Sequence, residues 1–334
     1  MEAGKKRLAT LVGCNYFDTR NELRGCINDV DSMRGLLVGR FGFRPEDVAV
    51  ITDEPGSEVL PTGKNIRAAL RSMADRAEPG DVLFFHFSGH GTLVPAVEPH
   101  HHGRSRRDEA IVPVDFNLIT DVDFRQLVDR LPPGVSFTII SDSCHSGGLI
   151  DQEKEQIGPN SAASARAAAP PPDDRRRSRG ASRTLPCEDI LQHVSSLSAV
   201  ESEHVGDHLL DIFGGDASAK YFSRSTSTPE PPADAVGADD GILLSGCQTN
   251  ETSADTGPGE EEGEDGKAYG AFSNSVRLVL GEQEEGEGGM SNRELVLRAR
   301  KLLRERGFEQ HPCLYCSDEN ADAPFLWQQQ GEQL

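Results

Sequence analysis

The 334-residue sequence contains no long apolar run. A helix that crosses a membrane needs about 20 consecutive apolar residues, and no window approaches that. The first residues, MEAGKKRLATLVGCNY, lack the apolar core of a secretory signal. A cytoplasmic location is therefore expected, with a non-classical route as the remaining way out of the cell. Positive charge is also in short supply: 34 Lys and Arg face 55 Asp and Glu, for a net charge of −21. Such a surface repels nucleic acid and anionic membranes, so neither is expected as a partner. The basic run RRRSR at 175–179 is a local exception. Nor is there a disulfide framework. The seven cysteines are odd in number and scattered. Only CLYC (313–316) has metal-ligand spacing, and no second such pair accompanies it, so a buried strand is expected there. No internal repeat is visible.

What the chain does have is 36% hydrophobic residues, enough for one sizeable core or two smaller ones. Over the first 150 or so residues, strand and helix patterns alternate. RLATLVGCNY, DVAVITD, DVLFFHFS and VSFTIISDS read as strands; GCINDVDSMRGLLVGRFGF, NIRAALRSMADRA and DVDFRQLVDRL read as helices. That alternation predicts an α/β fold with a mostly parallel sheet flanked by helices. After residue 155 the composition turns to Ala, Pro, Ser and Arg, as in GPNSAASARAAAPPPDDRRRSRGASR. Such a stretch has almost nothing to bury and reads as a long, partly disordered linker. The stretch 185–213 has the pattern of one or two amphipathic helices, and order resumes at GILLSGCQ (241–248). The plan is a large unit at 1–155, a linker at 156–240 and a small unit at 241–334.

Two apolar strands end on reactive side chains wrapped in glycine: FFHFSGHGT (84–92) and FTIISDSCHSGGL (137–149). Sheets of this kind hold ligands at the carboxyl ends of their strands. A cysteine attacks as its thiolate, and an imidazole is the usual base that generates it. If these two strands are neighbours, His90 and Cys144 project from one sheet edge. Glycine lets a substrate backbone approach closely, and the N–H groups of Gly91 and Cys144 can supply an oxyanion hole. Taken singly, His90 reads as a strand cap and Cys144 as a buried thiol; together, after two strands, they read as a catalytic dyad. A phosphatase loop would need arginine where Ile150 stands, and Gly-x-Ser-x-Gly, the hydrolase elbow, does not occur at either strand end. His86 reads as a strand-packing imidazole, His145 as a loop side chain, and His100, His101 and His102 as a solvated loop.

These motifs, together with NELRGCINDV, DEAIVPVDFNLITDVDF, GILLSGCQTNETSAD, GKAYGAFSN and HPCLYCSDENADA, resemble the plant type II metacaspases. These are caspase-like cysteine peptidases, and the resemblance spans nearly the whole chain. It implies a caspase-like fold, a His90–Cys144 dyad and cleavage of protein or peptide substrates after Arg or Lys. It also implies a role in programmed cell death or stress proteolysis. By the same resemblance Cys26, Asp29, Ser88 and Asp142 line the pocket for the basic side chain. Carboxylates there suit the chemistry, since a buried guanidinium or ammonium needs them. Intact His90 and Cys144 argue against the alternative, a non-enzymatic caspase-like scaffold.

The resemblance also implies maturation by self-cleavage in the linker, into two fragments that stay associated in a monomer. The bond Arg183–Thr184 is the expected site, because the residues from Leu185 onward look helical. Arg183 is expected to block the pocket until it is cut. For calcium, the family's ligands would be Asp108, Asp121 and Asp151. Ca²⁺ wants six or more oxygens, yet Val122 stands where a further acid is usual, and EPHHHGRSRR precedes Asp108. The pattern resembles a calcium-independent, acid-active, short-linker subgroup, and no cofactor is expected to be required.

Overall fold

The chain begins β1 (Arg7–Gly13), α1 (Cys26–Gly39), β2 (Val48–Thr52), α2 (Gly63–Asp75) and β3 (Val82–Ser88). It continues through β4 (Gly91–Pro95), β5 (Arg107–Ile111), β6 (Ile119–Thr120), α3 (Asp121–Val128), β7 (Ser136–Asp142) and β8 (Glu155–Ile157). This is a computed structural model, and it describes residues 5–95, 107–150, 153–159, 180–222, 241–248, 251–257, 266–282 and 289–326. Next come β9 (Ala181–Ser182), α4 (Cys187–Leu197), α5 (Val205–Phe213) and α6 (Ala219–Phe222). The last elements are β10 (Gly241–Ser245), β11 (Ala254–Thr256), β12 (Tyr269–Gly270), α7 (Ala271–Gly281), α8 (Asn292–Glu305), β13 (Cys313–Tyr315) and α9 (Asp318–Asp322).

The central sheet has seven strands in the order β2-β1-β3-β7-β10-β13-β8. The first five run parallel, while β13 and β8 pair antiparallel at one edge. Strands β3 and β10 are buried along their whole length, as a sheet covered on both faces requires. On one face α1, α7 and α8 deliver Val30, Met33, Leu37, Phe272, Val276, Leu295 and Ala299 to the core. On the other, α2 and α3 deliver Ile66, Leu70, Met73, Phe124 and Leu127. Each such large apolar side chain, once fully covered, contributes about 1.5–3 kcal/mol. Helix starts follow from local chemistry. Thr62 caps α2 by accepting from the Asn65 N–H, and Ser291 caps α8 by accepting from the Glu294 N–H. The fold class expected from the alternating pattern is the one found.

Two features differ from the simple plan. Residues 155–157, at the edge of the presumed linker, form β8 of the central sheet. Residues 185–222 are packed onto the large unit. Leu185, Ile190, Val194, Val205, Leu209 and Tyr221 share a core with Val94, Ala110, Val112 and Leu118. The amphipathic pattern of 185–213 thus has a partner surface, on the β4–β5–β6 sheet. Linker residues 160–179 and 223–240, Arg175–Arg179 among them, lie outside the described residues, as do His100, His101, His102 and Asp151. CLYC is a buried strand end: Cys313 and Cys316 are covered, and all seven cysteines are free thiols. Among the described residues no helix is long and apolar enough to cross a membrane.

Candidate active site

Strands β3 and β7 are parallel neighbours, in a register that sets Ser88 opposite Asp142. The two reactive loops therefore leave the sheet side by side. The Gly91 position admits no side chain, since a Cβ there would lie 1.7 Å from the Cys144 carbonyl oxygen. Cys144 is fully buried. Its Sγ accepts from the Ser253 N–H at 2.9 Å. Burial alone would push this thiol up. The neighbouring Cys247 and Thr184 side chains and the Ser253 amide, together with the charge of Arg183, hold it below its ordinary value. Cys247, burdened by that contact with Cys144 and by burial, goes well up.

His90 is oriented from two sides. Its Nε2 donates to the Asn21 carbonyl at 2.8 Å, and its backbone N–H donates to the Tyr16 hydroxyl at 2.9 Å. The Tyr16 ring lies against the imidazole, 4.7 Å between centroids. With the Nε2 proton committed to Asn21, the lone pair is on Nδ1, which is buried and has no hydrogen-bond partner. Burial lowers the pKa of this imidazole, so the neutral, proton-accepting form is favoured.

Residues 181–185 run through the cleft as extended chain. Ser182 and Ala181 pair antiparallel with Ala254 and Asp255 of β11. The Arg183 N–H donates to the Ser253 carbonyl at 3.0 Å. On the other side the Gly91 N–H donates to the Arg183 carbonyl at 2.9 Å, and the Leu185 N–H donates to the Gly91 carbonyl at 2.9 Å. The carbonyl of the Arg183–Thr184 bond thus accepts from one of the two donors expected of an oxyanion hole.

The Arg183 side chain is completely buried. Its Nη2 donates to Asp29 Oδ2 at 2.9 Å and to Asp255 Oδ1 at 2.8 Å. Its Nη1 donates to Ser88 Oγ and to the Asp142 carbonyl, both at 2.8 Å, and lies 3.5 Å from Asp142 Oδ2. The carboxylates are themselves held. Ser88 Oγ and the Gly270 N–H donate to Asp29, at 2.6 Å and 2.9 Å. The Ser273 N–H and Ser253 Oγ donate to Asp142, at 2.7 Å and 3.1 Å. Burial pushes the Asp29 carboxyl up to about 7, with Asp142 adding to the rise and Arg183 opposing it. Gly270 forms a wall: a Cβ there would lie 2.3 Å from Asp142 Oδ2 and 2.5 Å from Arg183 Nη1. Cys26 is buried beside these groups, and its thiol is pushed well up by burial.

All four pocket residues named from sequence, Cys26, Asp29, Ser88 and Asp142, are brought together here. Asp255 was missed. It reaches the guanidinium because β11 pairs with β9, a contact between distant segments that no local pattern signals. His86 packs in β3, its Nε2 3.1 Å from Ser273 Oγ, and burial followed by the charge of Arg183 lowers it to about 3. His145 lines a cleft of about 440 Å³ beside Thr184, Leu185 and Cys187. Asp108 and Asp121 are also together, but Lys220 stands between them, its Nζ 2.7 Å from each.

A profile of the caspase domain matches residues 6–323. Metacaspase-9 of Arabidopsis thaliana is 55% identical over 330 residues, covering 97% of this chain and 98% of the relative. Metacaspase-6 of the same plant is 40% identical, covering 95% and 99%. Among solved structures, protein GSU0716 from Geobacter sulfurreducens is similar with a TM-score of 0.58 at 19% identity, over 96% and 97% of the two chains. At that identity the likeness is one of fold.

Proposed function

The chain belongs to the caspase-domain family, among the metacaspases, and is a caspase-like cysteine peptidase; from that premise we propose that it cleaves peptide bonds after arginine or lysine, with Cys144 as nucleophile and His90 as base. The observation that carries the reading is Arg183, whose side chain is buried among Asp29, Asp142 and Asp255 while its carbonyl accepts from the Gly91 N–H.

In the proposed reaction the Cys144 thiol gives its proton to His90 Nδ1, and sulfur attacks the carbonyl carbon. The electron pair moves onto the oxygen, which the N–H groups of Gly91 and Cys144 hold. Collapse expels the amine, which takes the proton from His90, and leaves a thioester on Cys144. Water, deprotonated by His90, then hydrolyses the thioester and the thiol is regenerated. The Asn21 carbonyl keeps the imidazole in the required tautomer throughout. The function in the cell, programmed cell death or stress proteolysis, rests on family membership alone.

The first substrate is the chain itself. Arg183 blocks the pocket in the intact protein, which makes it a zymogen, and cutting Arg183–Thr184 opens the way for other substrates. N-terminal sequencing of the small fragment should begin at Thr184. A fully active preparation that remains one chain would overturn this, as would a new terminus elsewhere.

A fall in pH from alkaline toward neutral should help to empty the pocket. Arg183 opposes the rise of the Asp29 pKa, so its departure lets that pKa climb above about 7. A guanidinium that leaves is then replaced by a proton, and its binding weakens as pH falls through the range between the vacated and occupied values. Below about 7 both states are protonated and the dependence flattens. Linkage limits the slope for one proton to about tenfold per pH unit. Agmatine, as a competitive inhibitor of the matured enzyme, should have a Ki that rises from pH 9 toward 7. A Ki constant across that range would remove Asp29 as the responsive group.

A further inference from the structure

Lys220 lies on the short helix α6, beyond the proposed cut, in the segment first read as linker. Its Nζ is 2.7 Å from Asp108 Oδ2 and 2.7 Å from Asp121 Oδ1. The three side chains are nearly covered, at 10%, 13% and 11% exposure. Arg125 Nη2 adds a second cation, 3.7 Å from Asp121 Oδ2. Asp121 opens α3 and Asp108 belongs to β5, so one ammonium joins two elements of the large unit to a third that follows Thr184.

The neighbourhood fixes this lysine in place. Thr120 Oγ1 and Ser218 Oγ are 2.9 Å apart, and Asn117 Nδ2 donates to the Asp216 carbonyl at 2.8 Å. Arg67 donates to the same carbonyl, and Lys64 pairs with the Asp216 carboxylate at 3.0 Å. Tyr221, the next residue, is buried in the core shared with Val94, Ala110 and Leu185. Exposed ion pairs contribute little, but losing one partner of a covered pair strands a charge away from water, which is costly.

Asp108 and Asp121 are two of the three positions that the resemblance offers to calcium. Their surroundings do not fit that ion. Ca²⁺ requires a shell of six or more oxygens. The space between these two carboxylates is taken by an ammonium, and among the described residues no group of three or more metal-ligating side chains gathers anywhere.

We propose that Lys220 is a tethered cation that replaces a divalent ion between Asp108 and Asp121, and that it latches the segment around α6 to the large unit. The latch lies on the far side of Arg183–Thr184, so it holds the two fragments together after a cut. It does not depend on the cut, and a failure of the self-cleavage reading leaves it intact.

The test compares full-length wild type and Lys220→Gln by thermal unfolding, in EGTA and in millimolar CaCl2, with equilibrium dialysis against labelled calcium. Wild type should unfold at one Tm in both buffers. In EGTA, Lys220→Gln should unfold on the order of 5–10 °C lower. CaCl2 should restore most of that loss, with one more calcium bound than by wild type, while Lys220→Arg should behave as wild type. A Lys220→Gln protein that keeps the wild-type Tm in EGTA would overturn the proposal. So would a loss that CaCl2 does not restore, or equal calcium binding by the two proteins. If Lys220→Gln does not fold at all, Lys220→Gln with Asp121→Asn removes the opposed charges. Recovery of folding supports the role, and continued failure refutes it.

Discussion

A folded Cys144→Ala protein should hydrolyse no arginine-ended peptide and should remain a single chain. The substitution removes one sulfur atom from a buried site, so secondary structure and Tm should change little beside the loss of activity. Without the nucleophile only binding and the donors to the carbonyl oxygen are left. Deletion of a nucleophile in a comparable peptidase costs about 10⁶ in kcat, and a loss of at least about 10⁴ is expected here. Cys247 is a neighbouring buried thiol, and its strongly raised pKa makes it a poor substitute. His90→Ala should lose about 10²–10⁴, the usual contribution of a positioned acid–base group. Substantial turnover by the folded Cys144→Ala protein would end the assignment of this residue.

The second large effect concerns the pocket. Asp29→Ala should lower kcat/KM for arginine peptides by about 10²–10³, because removing one partner of a buried ion pair costs about 3–5 kcal/mol. Asp142→Ala added to it should leave cleavage barely measurable. Asp29, Asp142 and Asp255 face one fully covered guanidinium, so an aspartate side chain entering the same space would meet like charge with no water to screen it. Wild type should therefore ignore peptides ending in aspartate. Efficient cutting of such a peptide, or an undiminished arginine rate in the double variant, would contradict the assignment.

The parts of this arrangement that were legible in the sequence are those encoded by one strand and its end. FFHF and FTII are almost wholly apolar, which marks them as central strands, but that the loops after them meet follows from the pairing of β3 with β7. Asp29 was legible only through the resemblance, because a carboxylate three residues after Cys26 on one helix face reads by itself as solvated. Asp255 was not, because its position depends on β11 pairing with a two-residue strand far earlier in the chain. The antiparallel edge of β13 and β8 was equally hidden, since three-residue strands carry no period. Lys220 was hidden for another reason: a lone lysine on a four-residue helix reads as solvated until its acidic partners are known to be 2.7 Å away.

The strand through the cleft, bonded to β11 on one side and to Gly91 on the other, has a kinetic consequence under the proposed function. Occupant and enzyme are one molecule, so the occupant's local concentration is set by the tether and not by how much protein is present. Dilution cannot free the cleft, and a second, already active copy meets a scissile bond covered by its own host. Awakening is then a first-order event, with a half-life that belongs to each molecule, and a crowded population would wake no faster than a sparse one.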